Sequence, residues 1–231
     1  MIRVRPLKRA QTLKDMAYDQ VKLLLRAGKM SGDSIYSANQ LADSLGVSRT
    51  PVREALLQLS AEGLLKPIGS KGFRMRRYSR REINDTFEAR KAIECWVVEQ
   101  LAGNRGCDLK KLAAAFDAMA DAAAKANVNA FMLADERFHL ELVHAQGNSV
   151  LAGVMENVRD RISVLGYQVL SIEGRMAEVL GEHRRILEAL QHNDPARARQ
   201  SMANHLDTTQ QQLTKNLSFA ESDDADHADS I

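Results

Sequence analysis

The 231-residue chain is 45% hydrophobic but only 5% aromatic and holds just 4 prolines, which predicts a mainly helical protein long enough for two modest domains, each with its own core. No apolar run approaches the about 18 residues of a membrane helix, and the basic opening MIRVRPLKRA lacks the apolar core of a secretory signal; a cytoplasmic protein with no membrane partner is expected. The formal net charge of +2 conceals a split, since residues 1–80 carry 16 Lys and Arg against 6 Asp and Glu while residues 81–231 carry 16 against 24; a basic reader of nucleic acid joined to an acidic domain with a second task would look like this.

Residues 1–9 read as a basic arm that frays. Thr12 to Ala27 places Leu13, Met16, Ala17, Val21, Leu24 and Leu25 at helical spacing, and Gly28 stops that helix. Ser37 can cap a short helix with Leu41, Ala42 and Leu45 on one face, ended by Gly46. After a tight turn closed by Val47, Ser48 is placed to cap a second helix, with Pro51 in its first turn and Ala55, Leu56 and Leu59 on its buried side. Arg49, Thr50, Arg53 and Gln58 then fall on other faces, and arginines near a helix N-terminus suit contacts to guanine or phosphate. By spacing alone, a helical hairpin with a solvated basic face is an equal reading. The runs Leu64 to Ile68 and Phe73 to Arg77, separated by Gly69-Ser70-Lys71-Gly72, predict a β-hairpin with a cationic tip. A hairpin directly after a recognition helix is a wing.

With these residues in view, LADSLGVSRTPVREALLQLSAEGLL followed by GSKGF resembles the winged helix-turn-helix of the GntR family of bacterial transcription regulators, over about Val21 to Arg77. The resemblance implies DNA contacts from Ser48, Arg49, Thr50 and Arg53 on the recognition helix and from Lys71 and Gly72 on the wing. Ser31, where the family often has Pro, is a departure that touches no DNA-contacting position.

The domain bounds expected are 1–77 for the winged domain, 78–80 for a linker, 81–217 for a helical domain and 218–231 for an acidic disordered tail, which holds five acids. Ser79 or a near neighbour is expected to cap the first bundle helix. Six amphipathic helices are predicted, roughly Arg81–Asn104, Asp108–Ala126, Val128–Gln146, Ser149–Ser171, Gly174–His192 and Pro195–Leu217. They are parted by Asn104-Arg105-Gly106, Gly147-Asn148, Glu173-Gly174 and Asn193-Asp194-Pro195. Without strand-like alternation this predicts an antiparallel all-helical bundle. Cys95 and Cys107 are too few for a thiolate metal site and read as reduced packing residues.

Asp135 and His139 lie four residues apart, so they project about 40° from each other on one helix; His183 and His205 sit on the fifth and sixth bundle helices. His144 and His192 stand about 140° and 180° from His139 and His183 and should face elsewhere, and His227 belongs to the tail. One carboxylate and three imidazoles are a reasonable set for zinc, nickel or manganese. Spacing alone leaves each histidine open to an ordinary core or surface role.

ADERFHLELVHAQGNSVL, GEHRRILEAL and ARARQSMANHL together resemble the FCD ligand-binding domain of the FadR branch of the same family, and the six helices resemble its VanR-like subgroup. The resemblance implies one divalent metal ion per chain, zinc first and nickel or manganese next, on Asp135, His139, His183 and His205. It also implies a small carboxylate effector held by the metal and by Arg90, with Arg159 and Arg161 as further candidates. Without the resemblance, Arg90 would read as an intrahelical partner of Glu94 or Glu88.

The expectation is therefore a regulator, more often a repressor, that binds palindromic operator DNA as a homodimer and responds to an organic acid. A metal-dependent hydrolase, and an architectural DNA-binding protein with a structural metal, are the alternatives. No HExxH or evident general base supports the hydrolase.

Overall fold

The computed structural model describes residues 11–30, 32, 34–104 and 107–216, without the side chains of 161–164 and 168. The basic arm, Ser31, the Arg105-Gly106 break, Leu217 and the acidic tail with His227 lie outside the described residues. The chain divides into two compact units, with the main boundary between Arg76 and Arg77.

In the first unit, α1 (Leu13–Arg26) begins where Thr12 and Asp15 exchange side-chain and backbone hydrogen bonds, and it buries Ala17, Val21 and Leu25. A two-residue strand β1 (Ile35–Tyr36) precedes α2 (Ala38–Leu45). Ser37 caps α2 in a reciprocal box with Gln40, and Gly46 ends it at φ 65°, a left-handed conformation that suits glycine. The next helix, α3 (Arg49–Ala61), buries Val52, Ala55, Leu56 and Leu59. Ser48 precedes it in extended conformation, but its side chain makes no capping bond. That corrects the expected cap and leaves the Ser48 hydroxyl on the exposed surface.

The hairpin forms from β2 (Leu65–Ile68) and β3 (Gly72–Met75), paired antiparallel. Its second strand ends two residues earlier than expected. β1 also pairs with β3, giving a three-stranded sheet in the order β1-β3-β2. Two residues carry no period-2 signal, so β1 is not legible in the sequence. Gly72 sits at φ +140°, and a Cβ there would lie 2.5 Å from the Tyr36 carbonyl oxygen. Gly72→Ala should therefore cost the winged unit about 1–3 kcal/mol, read as an earlier unfolding transition with faster hydrogen exchange in β1 and β3. An unchanged transition would mean that β1 moves aside freely.

The second unit contains, among the described residues, six helices: α4 (Arg80–Gly103), α5 (Lys110–Ala124), α6 (Val128–Gln146), α7 (Ser149–Leu170), α8 (Arg175–Gln191) and α9 (Pro195–Asn216). The expected linker 78–80 belongs to this unit instead. Tyr78 is buried in its core, Ser79 forms a capping box with Glu82, and Arg80 already starts α4. Gly147 at φ 88° closes α6, and the Asn148 side chain accepts from the Val150 and Leu151 amides to open α7. α4 packs most extensively on α9, α5 on α6, and α8 on α9, around a core that includes Phe87, Met119, Phe131, Phe138, Met155 and Leu206. The architecture is the winged helix-turn-helix plus all-helical bundle expected from the sequence. Among the described residues no helix is long and apolar enough to cross a membrane. Cys95 is a buried free thiol, pushed up to about 11 by burial and by Glu94 beside it, and Cys107 is a half-buried free thiol.

Candidate metal centre and nucleic-acid interface

Asp135 and His139 occupy successive turns of α6, and α8 and α9 bring His183 and His205 against them. One ligand atom from each of the four residues lies within 4.8 Å of every other. The three imidazoles are buried, while Asp135 keeps 16% of its side chain exposed. His183 Nε2 is 3.2 Å from Asp135 Oδ1 and 3.2 Å from His139 Nε2.

What fixes the rings is on their other side. His183 Nδ1 donates to the Val179 carbonyl at 2.9 Å, His205 Nδ1 donates to Glu182 Oε2 at 2.7 Å, and His139 Nδ1 donates to Glu94 Oε2. A carbonyl or a carboxylate can only accept, so each Nδ1 carries the proton and each Nε2 is turned to the common centre. Burial pushes His139 down to about 3 against the pull of Glu94. His205 falls to about 4 through burial and the neighbouring His183, against Glu182. Burial acts to raise the Asp135 carboxyl, but Arg159, His183 and His139 together hold it well below the usual carboxylate range. Acceptor atoms crowded this closely repel unless a cation lies among them; one proton can serve two of them, a metal ion all four. Imidazoles oriented through Nδ1 by carboxylate or carbonyl groups are the arrangement that metal ligands use.

Asp135 and His205 form part of the wall of a cavity also lined by Arg90, Arg159, Arg175 and Thr209, with an apolar remainder that includes Met132, Val169 and Leu213. Arg90 is 1% exposed, and its Nε donates to Glu94 Oε1 at 2.7 Å. Arg159 donates to Asp135 Oδ2 at 2.5 Å. Arg175 reaches Glu182 and Glu178, each at 3.0 Å, and Thr209 Oγ1 at 3.3 Å.

In the first unit, Ser48, Arg49, Thr50 and Arg53 are all exposed, and Arg49, Thr50 and Arg53 line one concavity with Glu54 at the N-terminal end of α3. Lys71 lies exposed in the hairpin turn, and Gly72 opens β3 opposite Ile68.

Two family descriptions match this chain: "FCD domain" over residues 85–208, more than half its length, and "Bacterial regulatory proteins, gntR family" over residues 13–75. The chain belongs to the GntR family, in its FCD branch. The transcriptional repressor GlaR of Escherichia coli strain K12 is 32% identical over 174 residues, covering 71% of this chain and 77% of that protein. The regulator YdhC of Bacillus subtilis strain 168 is 28% identical over 193 residues, covering 81% and 85%. Among solved structures, a GntR regulator from Rhodococcus sp. RHA1 superposes with a TM-score of 0.78 at 20% identity, covering 89% of this chain and 99% of that one, and E. coli McbR/YncC with 0.76 at 21%, covering 88% and 98%. At these identities the structures speak for the fold.

This GntR regulator is thus a DNA-binding transcription regulator and not an enzyme. Its sequence singled out the four converging residues, and His144 and His192 are exposed and away from them. Arg90 is paired within its helix to Glu94, one of the two partners expected, and it is buried and lines the cavity. The Arg161 side chain lies outside the described residues. Glu182, Arg175 and Thr209 were missed, and Glu94 was named only as a helix partner of Arg90, not as the acceptor that orients His139. For Glu94 a signal existed, because an Arg and a Glu four residues apart interrupt the apolar stripe of Phe87, Val97 and Val98. Arg175 has acids three and seven residues on in its own helix, an ordinary surface pattern by spacing, and Thr209 carried no local mark.

Proposed function

We propose that this regulator is a repressor whose operator affinity falls when a small organic acid binds at a divalent metal ion held by Asp135, His139, His183 and His205. The observation that carries the reading is that the four ligand atoms converge, and that two of the four residues, Asp135 and His205, share a cavity wall with three arginines. Three imidazole nitrogens and one carboxylate oxygen suit zinc, with nickel or manganese also compatible, and leave a coordination position for an effector carboxylate. Arg90 and Arg159 stand beside it as charge-assisted partners. Relatives named as repressors support the sign.

On DNA, the chain acts as a homodimer that presents two copies of α3 to a palindromic operator, because one module reads too few base pairs for selectivity. Arg49→Ala or Arg53→Ala should then weaken operator binding by about 1–3 kcal/mol, the range of a bidentate base contact. Lys71→Ala should instead lower affinity for all sequences and flatten its salt dependence. Gel-shift titrations at two salt concentrations read both effects, and wild-type binding by the double arginine variant would remove α3 from the interface.

The test of the whole reading is release from operator DNA by the zinc-loaded protein, titrated with a panel of small mono- and dicarboxylates. Release by at least one acid is expected. A panel that leaves DNA affinity unchanged would reduce the centre to a structural role.

A further inference from the structure

The charges around the cavity can be counted. Arg90, Arg159 and Arg175 are buried, and each is paired with a carboxylate that is itself buried or nearly so: Glu94, Asp135 and Glu182 respectively. The second acid on Arg175, Glu178, is 63% exposed and screened by water. Three positive and three negative groups balance, and each of the three imidazoles, with its Nδ1–H given to a carboxylate or carbonyl, would ligate a cation through Nε2 as the neutral ring. A divalent cation on the four ligands therefore leaves two positive charges uncompensated in a poorly solvated wall, where unpaired charge is costly.

A second observation is independent of that count. Arg159 and Arg175 each keep a buried Nε–H with no hydrogen-bond partner among the described residues. The two guanidinium groups are anchored on different helices, Arg159 to Asp135 on α6 and Arg175 to Thr209 on α9. The lining also includes Val169, Val179 and Leu213, which suit a short hydrocarbon spacer.

Resting on the reading of the cavity as an acid site, we infer that its ligand is a dianion, a short dicarboxylate with one carboxylate at the metal and Arg159 and the other at Arg175 and Thr209. A monocarboxylate would fill the open coordination position and leave the second charge unmet. Arg175 and Thr209 are then the residues that set specificity for the second acid group.

Calorimetry on the zinc-loaded full-length protein tests this with succinate, glutarate and adipate, each against the monocarboxylate of equal chain length: butyrate, valerate and hexanoate. At the best length the dicarboxylate should bind about tenfold tighter or better, and Arg175→Gln should erase that preference. Because Arg175 is buried, Thr209→Val serves as the milder variant, and it should lower dicarboxylate affinity severalfold while leaving monocarboxylate affinity as it was. Equal affinity for both members of every pair, or a preference that survives both substitutions, would overturn the dianion assignment while the acid site stands. Binding of neither class at any length would bring down the acid-site reading itself.

Discussion

Replacing Arg90 with Met should destabilise the helical unit by about 3–5 kcal/mol, the cost of breaking a buried ion pair from one side. The guanidinium is 1% exposed and Glu94 fully buried. Met fills much of the arginine's volume, so the loss comes from the charge left behind and not from a cavity. Glu94 would keep only the His139 Nδ1–H as a partner, in a site that water does not reach. Adding Glu94→Gln should recover about 1–2 kcal/mol, since the amide oxygen still accepts from His139 while the stranded charge is gone. Trp96, the chain's one tryptophan, lies on α4, two residues from Glu94, so denaturant unfolding followed by its fluorescence reports on this unit. A loss under about 1 kcal/mol would place the pair among surface salt bridges and show that water reaches Glu94.

Metal should matter as much. Protein purified without chelator is expected to carry about one divalent ion per chain, and His183→Ala or His205→Ala should lose most of it, because each removes one of four ligands. An ion that binds only the folded state stabilises it by about 4 kcal/mol when its free concentration is about a thousandfold above the dissociation constant. Chelation should therefore lower the thermal midpoint markedly, and the two histidine variants should start low and not respond. His144→Ala and His192→Ala should behave as wild type, since both rings are exposed and away from the centre. Elemental analysis with thermal unfolding, with and without chelator, reads all of this. Equal metal content in the four variants would sink the assignment.

What was legible in the sequence was local. Ser37, Gly46, Ser79, Gly147 and Asn148 act through hydrogen bonds or backbone angles within a few residues of themselves, so helix starts and stops can be read from them directly. Asp135 and His139 were readable as a pair for the same reason, because helical periodicity alone puts them on one face. Joining His183 and His205 to them required knowing how three helices pack, and that came from likeness to a family. Arg90 shows the limit most clearly. An Arg and a Glu four residues apart look the same in sequence whether water or two other helices cover them, and here α6 and α9 pack on α4. Ser48 shows the reverse case, a residue of the right type at the right place whose side chain does not cap. Arg175 and Glu182 pair with each other within α8, but what makes them part of the site, the contacts of Glu182 with His205 and of Arg175 with Thr209, comes from α9 and leaves no local trace.

The two residues of β1 change what kind of object the wing is. An isolated two-stranded hairpin is at best marginally stable in water, but here β3 is the middle strand, held by β2 on one edge and by Ile35 and Tyr36 on the other. The root of the wing is thus clamped to the segment that leads into α2, while Gly69, Ser70 and Lys71 at its tip lie beyond the last paired residues, Ile68 and Gly72. Evolution can then retune the tip for a new phosphate path, exchanging Lys71 or its neighbours, with little penalty to folding, whereas Gly72 at its base is not free to drift.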